Sequence, residues 1–171
     1  MKKNLLIMLV MLVYSVSMMG ESLKVTSGST KFLKSEGTVS VIWNWENATF
    51  ADKETLKAAW GDTYEKHLTD GEKSFIDGFN DVSKKLKATQ STDGATYTMT
   101  ITVTNIDYFF SAMSVVPGHK HTIWATIEVK DASGNTICTM KAERFKGGRD
   151  FVKYDSYKEL MSDFGKKVAK P

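Results

Sequence analysis

His119 and His121 stand two residues apart, just after the turn pair Pro117-Gly118. In an extended segment such residues point the same way, so both imidazoles could approach one divalent metal. Two histidines are half of a tetrahedral site, and the only thiolate available is that of Cys138. A hairpin register pairing Asp131 with Thr136 sets Cys138 opposite Val129, roughly 26 Å from His121 at ~3.3 Å per residue. The histidine pair therefore reads first as a polar loop, in which metal capture needs carboxylates from elsewhere. Cys138 reads as a small buried side chain and His67 as a surface or capping residue.

Three further groupings could do chemistry. The stretch from Asp107 to His121 holds Tyr108, Phe109, Phe110, Met113, Val115 and Val116. Either a strand continues there and pads the core, or the side chains form an exposed apolar lip for a partner. Around Gly147-Gly148 lie Arg144, Lys146, Arg149 and Lys153. Glycine-rich backbone beside guanidinium groups can hold an anion, which makes Arg144 and Arg149 candidates, although no Lys-Ser/Thr follows the glycines as a P-loop requires. Glu46, Asp52 and Glu54 gather near Trp43 and Trp45, where a hydrolase with a nonstandard constellation could be built; their spacing equally suits helix-start charges. The chain contains no Gly-x-Ser-x-Gly, His-Glu-x-x-His, Cys-x-x-Cys or Gly-x-Gly-x-x-Gly pattern. No catalytic residue and no cofactor is expected from these patterns.

The elements that must position these residues follow from periodicity. Val39, Val41, Trp43 and Trp45 alternate with Ser40, Ile42, Asn44 and Glu46, the period of a strand. Asp52 can cap a short helix bearing Leu56, Ala59 and Trp60. Thr69-Asp70-Gly71-Glu72 has the form of a capping box, which predicts a helix with Phe75, Phe79, Val82 and Leu86 on one stripe. Ala95, Tyr97, Met99, Ile101 and Val103 alternate with five threonines, predicting a strand with one apolar and one hydroxyl face. Thr122 to Lys130 and Thr136 to Phe145 form a hairpin about Gly134-Asn135, ended by Gly147-Gly148. Ser156-Tyr157-Lys158-Glu159 opens a last helix with Tyr157, Leu160, Met161, Phe164 and Val168 inward. The expected fold is a two-layer α/β sandwich, order β-α-α-β-β-β-α. Its mixed, four-stranded main sheet carries two main helices on one face and leaves the threonine face open.

Residues 1–20 begin Met-Lys-Lys-Asn and run apolar from Leu5 to Val13, too short for the ~20 residues of a membrane-spanning helix. They read as a secretory signal peptide cleaved before Glu21, with Ser15-Val16-Ser17 an alternative site, 21–37 a polar leader containing a short strand near Leu23 to Thr26, and 38–171 one domain. Without Lys2 and Lys3, 21 basic residues face 20 acidic ones, so the charge offers no clustered basic face to nucleic acid. No cysteine follows the signal to accept a lipid. The expected location is periplasmic or extracellular.

The Trp-rich first strand, the helix with Phe75-Ile76-Asp77-Gly78-Phe79-Asn80, the Tyr97-x-Met99-x-Ile101-x-Val103 strand and Ile127-x-Val129-x-Asp131 resemble exported proteins of Bacteroidetes over residues 38 to 169. The order of elements is also similar to envelope lipoprotein domains related to the periplasmic part of the curli secretion channel. That resemblance implies binding of other proteins without catalysis, and it carries over no site residues. The expected function is a non-enzymatic exported domain that binds a protein or cell-envelope component through the threonine sheet face or the apolar stretch 108 to 116; the alternatives are a metal or small-ligand carrier using His119 and His121, or a hydrolase.

Overall fold

The computed structural model describes residues 23–111, 118–150 and 152–171. Its strands are β1 (Leu23–Gly28), β2 (Gly37–Asn44), β3 (Thr49–Phe50), β4 (Glu54–Thr55), β5 (Leu86–Thr89), β6 (Tyr97–Ser111), β7 (Gly118–Asp131) and β8 (Thr136–Asp150). The helices are α1 (Leu56–Trp60), α2 (Tyr64–Val82) and α3 (Lys153–Ala169). The sheet runs β1-β8-β7-β6-β2-β5, with β3 set on β6 and β4 on β3. β2 is parallel to β5 and β6, while the β6-β7-β8-β1 ladder is antiparallel. The mixed α/β sandwich is as expected, but the sheet has eight strands, not four.

The short strand expected near Leu23 to Thr26 is present as β1, but it joins the edge of the main sheet beside β8 and buries only Leu23. β5 begins at Leu86, which continues the stripe of α2 on paper. In the protein the helix stops at Ser83, whose amide donates to Phe79 O and whose hydroxyl donates to Leu86 O at 2.6 Å. Leu86 is fully buried in that strand, so its apolar character fits either element.

Helix starts also depart from the capping patterns. α2 begins at Tyr64, before Thr69; the Thr69 hydroxyl donates to Glu65 O inside the helix, and Glu72 instead accepts from Trp45 Nε1 at 2.9 Å. α3 begins at Lys153, before Ser156. α1 is capped by Thr55 Oγ1, which accepts from Ala58 N, whereas Asp52 lies in the β3-β4 turn at φ +56°. Gly147-Gly148 does not end β8. Gly148 sits at φ +64° within it, and a Cβ there would lie 1.9 Å from Ser156 O, so glycine lets strand and helix touch.

Both long helices lie on one face of the sheet and run in the same direction. Gly71 makes room for the Tyr157 ring and hydroxyl, while Gly78 abuts the backbone of Ser162 and Gly165 the backbone of Phe75 and Phe79. Between helices and sheet lie Phe75, Phe79, Phe164, Met99, Ile101, Ile127 and Met140, all without exposed surface. Thr98, Thr100 and Thr102 face away from the helices and are half-buried by their strand neighbours; Thr104 and Thr126 are exposed.

Two bulges re-aim the far half of the sheet. In β6 the register shifts between Val103 and Asn105, so the inward residues change from Met99, Ile101 and Val103 to Ile106 and Tyr108. In β8 the pairing passes from Ala142 to Phe145 across two residues of β7, and Arg144 takes φ +58° there. One extra residue flips every later side chain to the other face. Asn105 anchors the first bulge: its buried Oδ1 accepts from Thr49 Oγ1 and from Asp52 N, both at 3.1 Å.

Candidate binding site

Beyond Ile106, β6 outruns β3, and Asp107–Ser111 pair only with β7. The ladder joins Tyr108 to His121, Phe109 to Lys120 and Phe110 to His119. After the bulge Tyr108 and Phe110 share the helix-side face, and Phe109 points the other way. The rings on the helix side form a connected set. Tyr108 lies 5.7 Å from His121, 6.2 Å from His119 and 5.6 Å from Phe50, and Phe110 lies 5.0 Å from His119, all between centroids. Lys153 Nζ stands 3.6 Å above the Tyr108 ring and 5.2 Å from Phe50, a cation over two electron-rich faces.

Behind this overhang the histidine chemistry is settled by one hydroxyl. Ser156 is fully buried and donates its only hydrogen to His119 O at 2.8 Å. In the 3.1 Å contact between His121 Nδ1 and Ser156 Oγ, the imidazole is therefore the donor. That reverses the roles of a nucleophile and its base, since the serine hydrogen is directed at His119 O and not at the ring. His121 is 2% exposed, and burial, reinforced by Lys153, His119 and His67, pushes its pKa down to about 3, so it is neutral. The aromatic set continues through Tyr157, 5.9 Å from His121, to Trp60 and to His67, which stacks on Trp60 at 4.6 Å. His67 is thus part of this packing, with Nδ1 donating to Thr63 O at 2.8 Å and its pKa lowered by burial. At the outer rim Tyr154 donates to Asp70, which Lys66 also binds; these two bonds hold the Asp70 carboxyl below its usual range.

The sequence candidates separate accordingly. Tyr108, Phe109, Phe110, His119 and His121 come together on the overhang, with His119 and His121 in strand β7 and not in a loop. Met113, Val115 and Val116 lie outside the described residues, as does the side chain of Arg149. Cys138 is buried opposite Val129, as the hairpin register predicts. No group of three or more His, Cys, Asp or Glu suited to a metal occurs among the described residues. Arg144 is an exposed bulge residue. At the glycine pair a carboxylate of the chain itself takes the amide: Gly148 N donates to Asp163 Oδ2 at 3.3 Å. The adjoining cleft of about 520 Å³ mixes Lys120, Lys146 and Lys166 with Glu159 and Asp163, so it has no single sign of charge. Trp43 stacks on Trp45 at 5.1 Å and meets Phe75 edge-on, while Glu46 and Asp52 are exposed. The tryptophans close the edge of the core there. Sequence reasoning set Lys153 in the basic group near Gly147-Gly148 and Ser156 in a capping box, and missed that their contacts join α3 to the β6-β7 overhang across a distance that no local spacing encodes.

By sequence the chain matches no known family and no curated protein. The resemblance to exported Bacteroidetes proteins rests on its motifs alone. By structure the chain is similar to a PelC dodecamer from Paraburkholderia phytofirmans, with a TM-score of 0.43 and 14% identity, covering 87% of this chain and 96% of that one. It is also similar to a protein described as a neuraminyllactose-binding hemagglutinin homolog from Helicobacter pylori, with a TM-score of 0.38 and 12% identity, covering 85% of this chain and 89% of that one. No helix among the described residues is long and apolar enough to cross a membrane.

Proposed function

We propose that this protein is a non-enzymatic exported binding domain that holds another protein of the cell envelope through the overhanging end of β6 and β7. The observation that carries this reading is the exposure of two adjacent phenylalanines, Phe109 at 45% and Phe110 at 53%. Neighbouring strand residues point to opposite faces, so a partner that wraps the strand end would cover both. Export is supported by the basic-apolar-polar pattern of residues 1–20, which lie outside the described residues. The inverted Ser156-His121 pair and the self-occupied Gly148 amide speak for a packing role of these groups.

Burying the exposed half of each ring contributes about 1 kcal/mol, so removing both weakens a complex by about 2 kcal/mol, roughly 30-fold. The test is crosslinking of the exported protein in its native envelope, comparing the wild type with a Phe109→Ser, Phe110→Ser variant. A crosslinked species that forms with the wild type and vanishes with the variant, at unchanged melting temperature, is the expected result. An identical crosslinking pattern in both would overturn the assignment of the lip.

A further inference from the structure

At the other end of the sheet, α2 and α3 finish side by side next to the 3-10 turn Thr30–Lys34. Between them lies a groove of about 650 Å³, within the size range of small-molecule sites. Leu33, Val82 and Ala169 give it an apolar floor, and Lys34, Lys84, Lys85 and Lys170 stand around it. Among the described residues a single carboxylate pairs with these four: Glu36, 3.5 Å from Lys85. The rim therefore keeps an excess of positive charge over an apolar base.

Helix ends attract lysines, so the four ammonium groups need weighing against that simpler cause. The end of α2 is already served by Lys87, whose Nζ donates to Asn80 O at 3.0 Å and to Ser83 O at 2.6 Å. The last turn of α3 contains its own Lys166 and Lys167. Lys84, Lys85 and Lys170 are surplus to these needs, and they converge with Lys34 from a different part of the chain on one concave apolar surface. Apolar floor and cationic rim together match a molecule with an apolar tail and an anionic head.

We infer that this groove binds a single-chain anionic amphiphile, its alkyl chain along Leu33, Val82 and Ala169 and its carboxylate or phosphate among the four lysines. The inference is independent of the β6-β7 lip, which lies at the opposite end of the sheet. It is tested on the exported protein by calorimetric titration with decanoate below its micelle concentration, with decanol as the uncharged control and with vesicles of anionic phospholipid. The expected result is one decanoate per chain, bound at least tenfold more tightly than decanol and more weakly as salt rises. Replacing two exposed rim charges, Lys34→Glu and Lys84→Glu, lowers decanoate affinity at least tenfold without altering the melting temperature. Equal binding of decanol and decanoate, unchanged affinity in the charge-reversed variant, or no decanoate binding at millimolar concentration overturns the inference. Binding to anionic vesicles without binding to monomeric decanoate also overturns it, because that pattern belongs to a charged surface and not to a groove.

Discussion

Acidification should destabilise this protein through His121 before its carboxylates titrate. The ring is 2% exposed, boxed by Tyr108 and Tyr157 and faced by Lys153, and its pKa is pushed down to about 3 from the ordinary 6.5. The unfolded chain takes up a proton on this histidine near pH 6.5, while the folded protein does not do so until about pH 3. Stability contributed by the neutral ring is therefore complete above pH 6.5 and is lost progressively as pH falls towards 3. At about 1.4 kcal/mol per pH unit, the fall from pH 6.5 to 5 costs roughly 2 kcal/mol. For a chain of this size that lowers the melting temperature by about 4 to 8 °C. His67, also lowered by burial, acts in the same direction; Glu72, raised by burial, acts in the opposite one. Carboxylates held low by their partners, such as Asp70 and Asp131, lose their contribution only below ~pH 4, outside this window. Thermal melts at pH 7.5, 6.5, 5.5 and 5.0 measure the slope, and a His121→Gln variant, which keeps a donor towards Ser156, should remove most of it. Wild-type stability that stays flat from pH 7 to 5, or a slope that survives in His121→Gln, would refute the reasoning.

Two other consequences concern packing. Gly165→Ala places a Cβ 2.1 Å from Phe75 O and 2.9 Å from Phe79 N, both backbone atoms, so the helices must separate; a loss of about 2 kcal/mol or more is expected in urea unfolding, despite the better helix propensity of alanine. Asn105→Ala leaves Asp52 N without its acceptor and frees the turn in which Ala51 and Asp52 hold positive φ, for an expected cost of about 1 to 3 kcal/mol, with amide exchange accelerating first in β3 and β4.

Much of the architecture was legible because it depends on local periodicity. The β6 alternation from Tyr97 to Val103, the inward stripe of α3 and the β7-β8 hairpin with Cys138 opposite Val129 are as expected, although Thr136 pairs with Lys130 and not with Asp131. What failed had weak or ambiguous local signals. Leu86 suits helix and strand equally, and two capping boxes lie inside helices that begin earlier. The candidate site was half legible: Tyr108, Phe109, Phe110, His119 and His121 were singled out by type, but not their arrangement.

What the amino-acid sequence determined by itself is the composition of each surface: a helix-facing apolar stripe, a threonine face, an apolar stretch after Asp107 and a signal-like start. Side-chain period and hydrophobicity act over a few residues, so they can be read along the chain. Only the tertiary structure decided which way Tyr108, Phe109 and Phe110 point, because the bulge at Thr104-Asn105 inverts the alternation set by the preceding strand. That bulge is held by Thr49 and Asp52, some fifty residues earlier, through the Asn105 side chain. Likewise His121 is neutral only because Ser156 and the rings of β6 and α3 close over it. A long-range hydrogen bond and the exclusion of water are properties of the folded chain, and no spacing within a segment contains them.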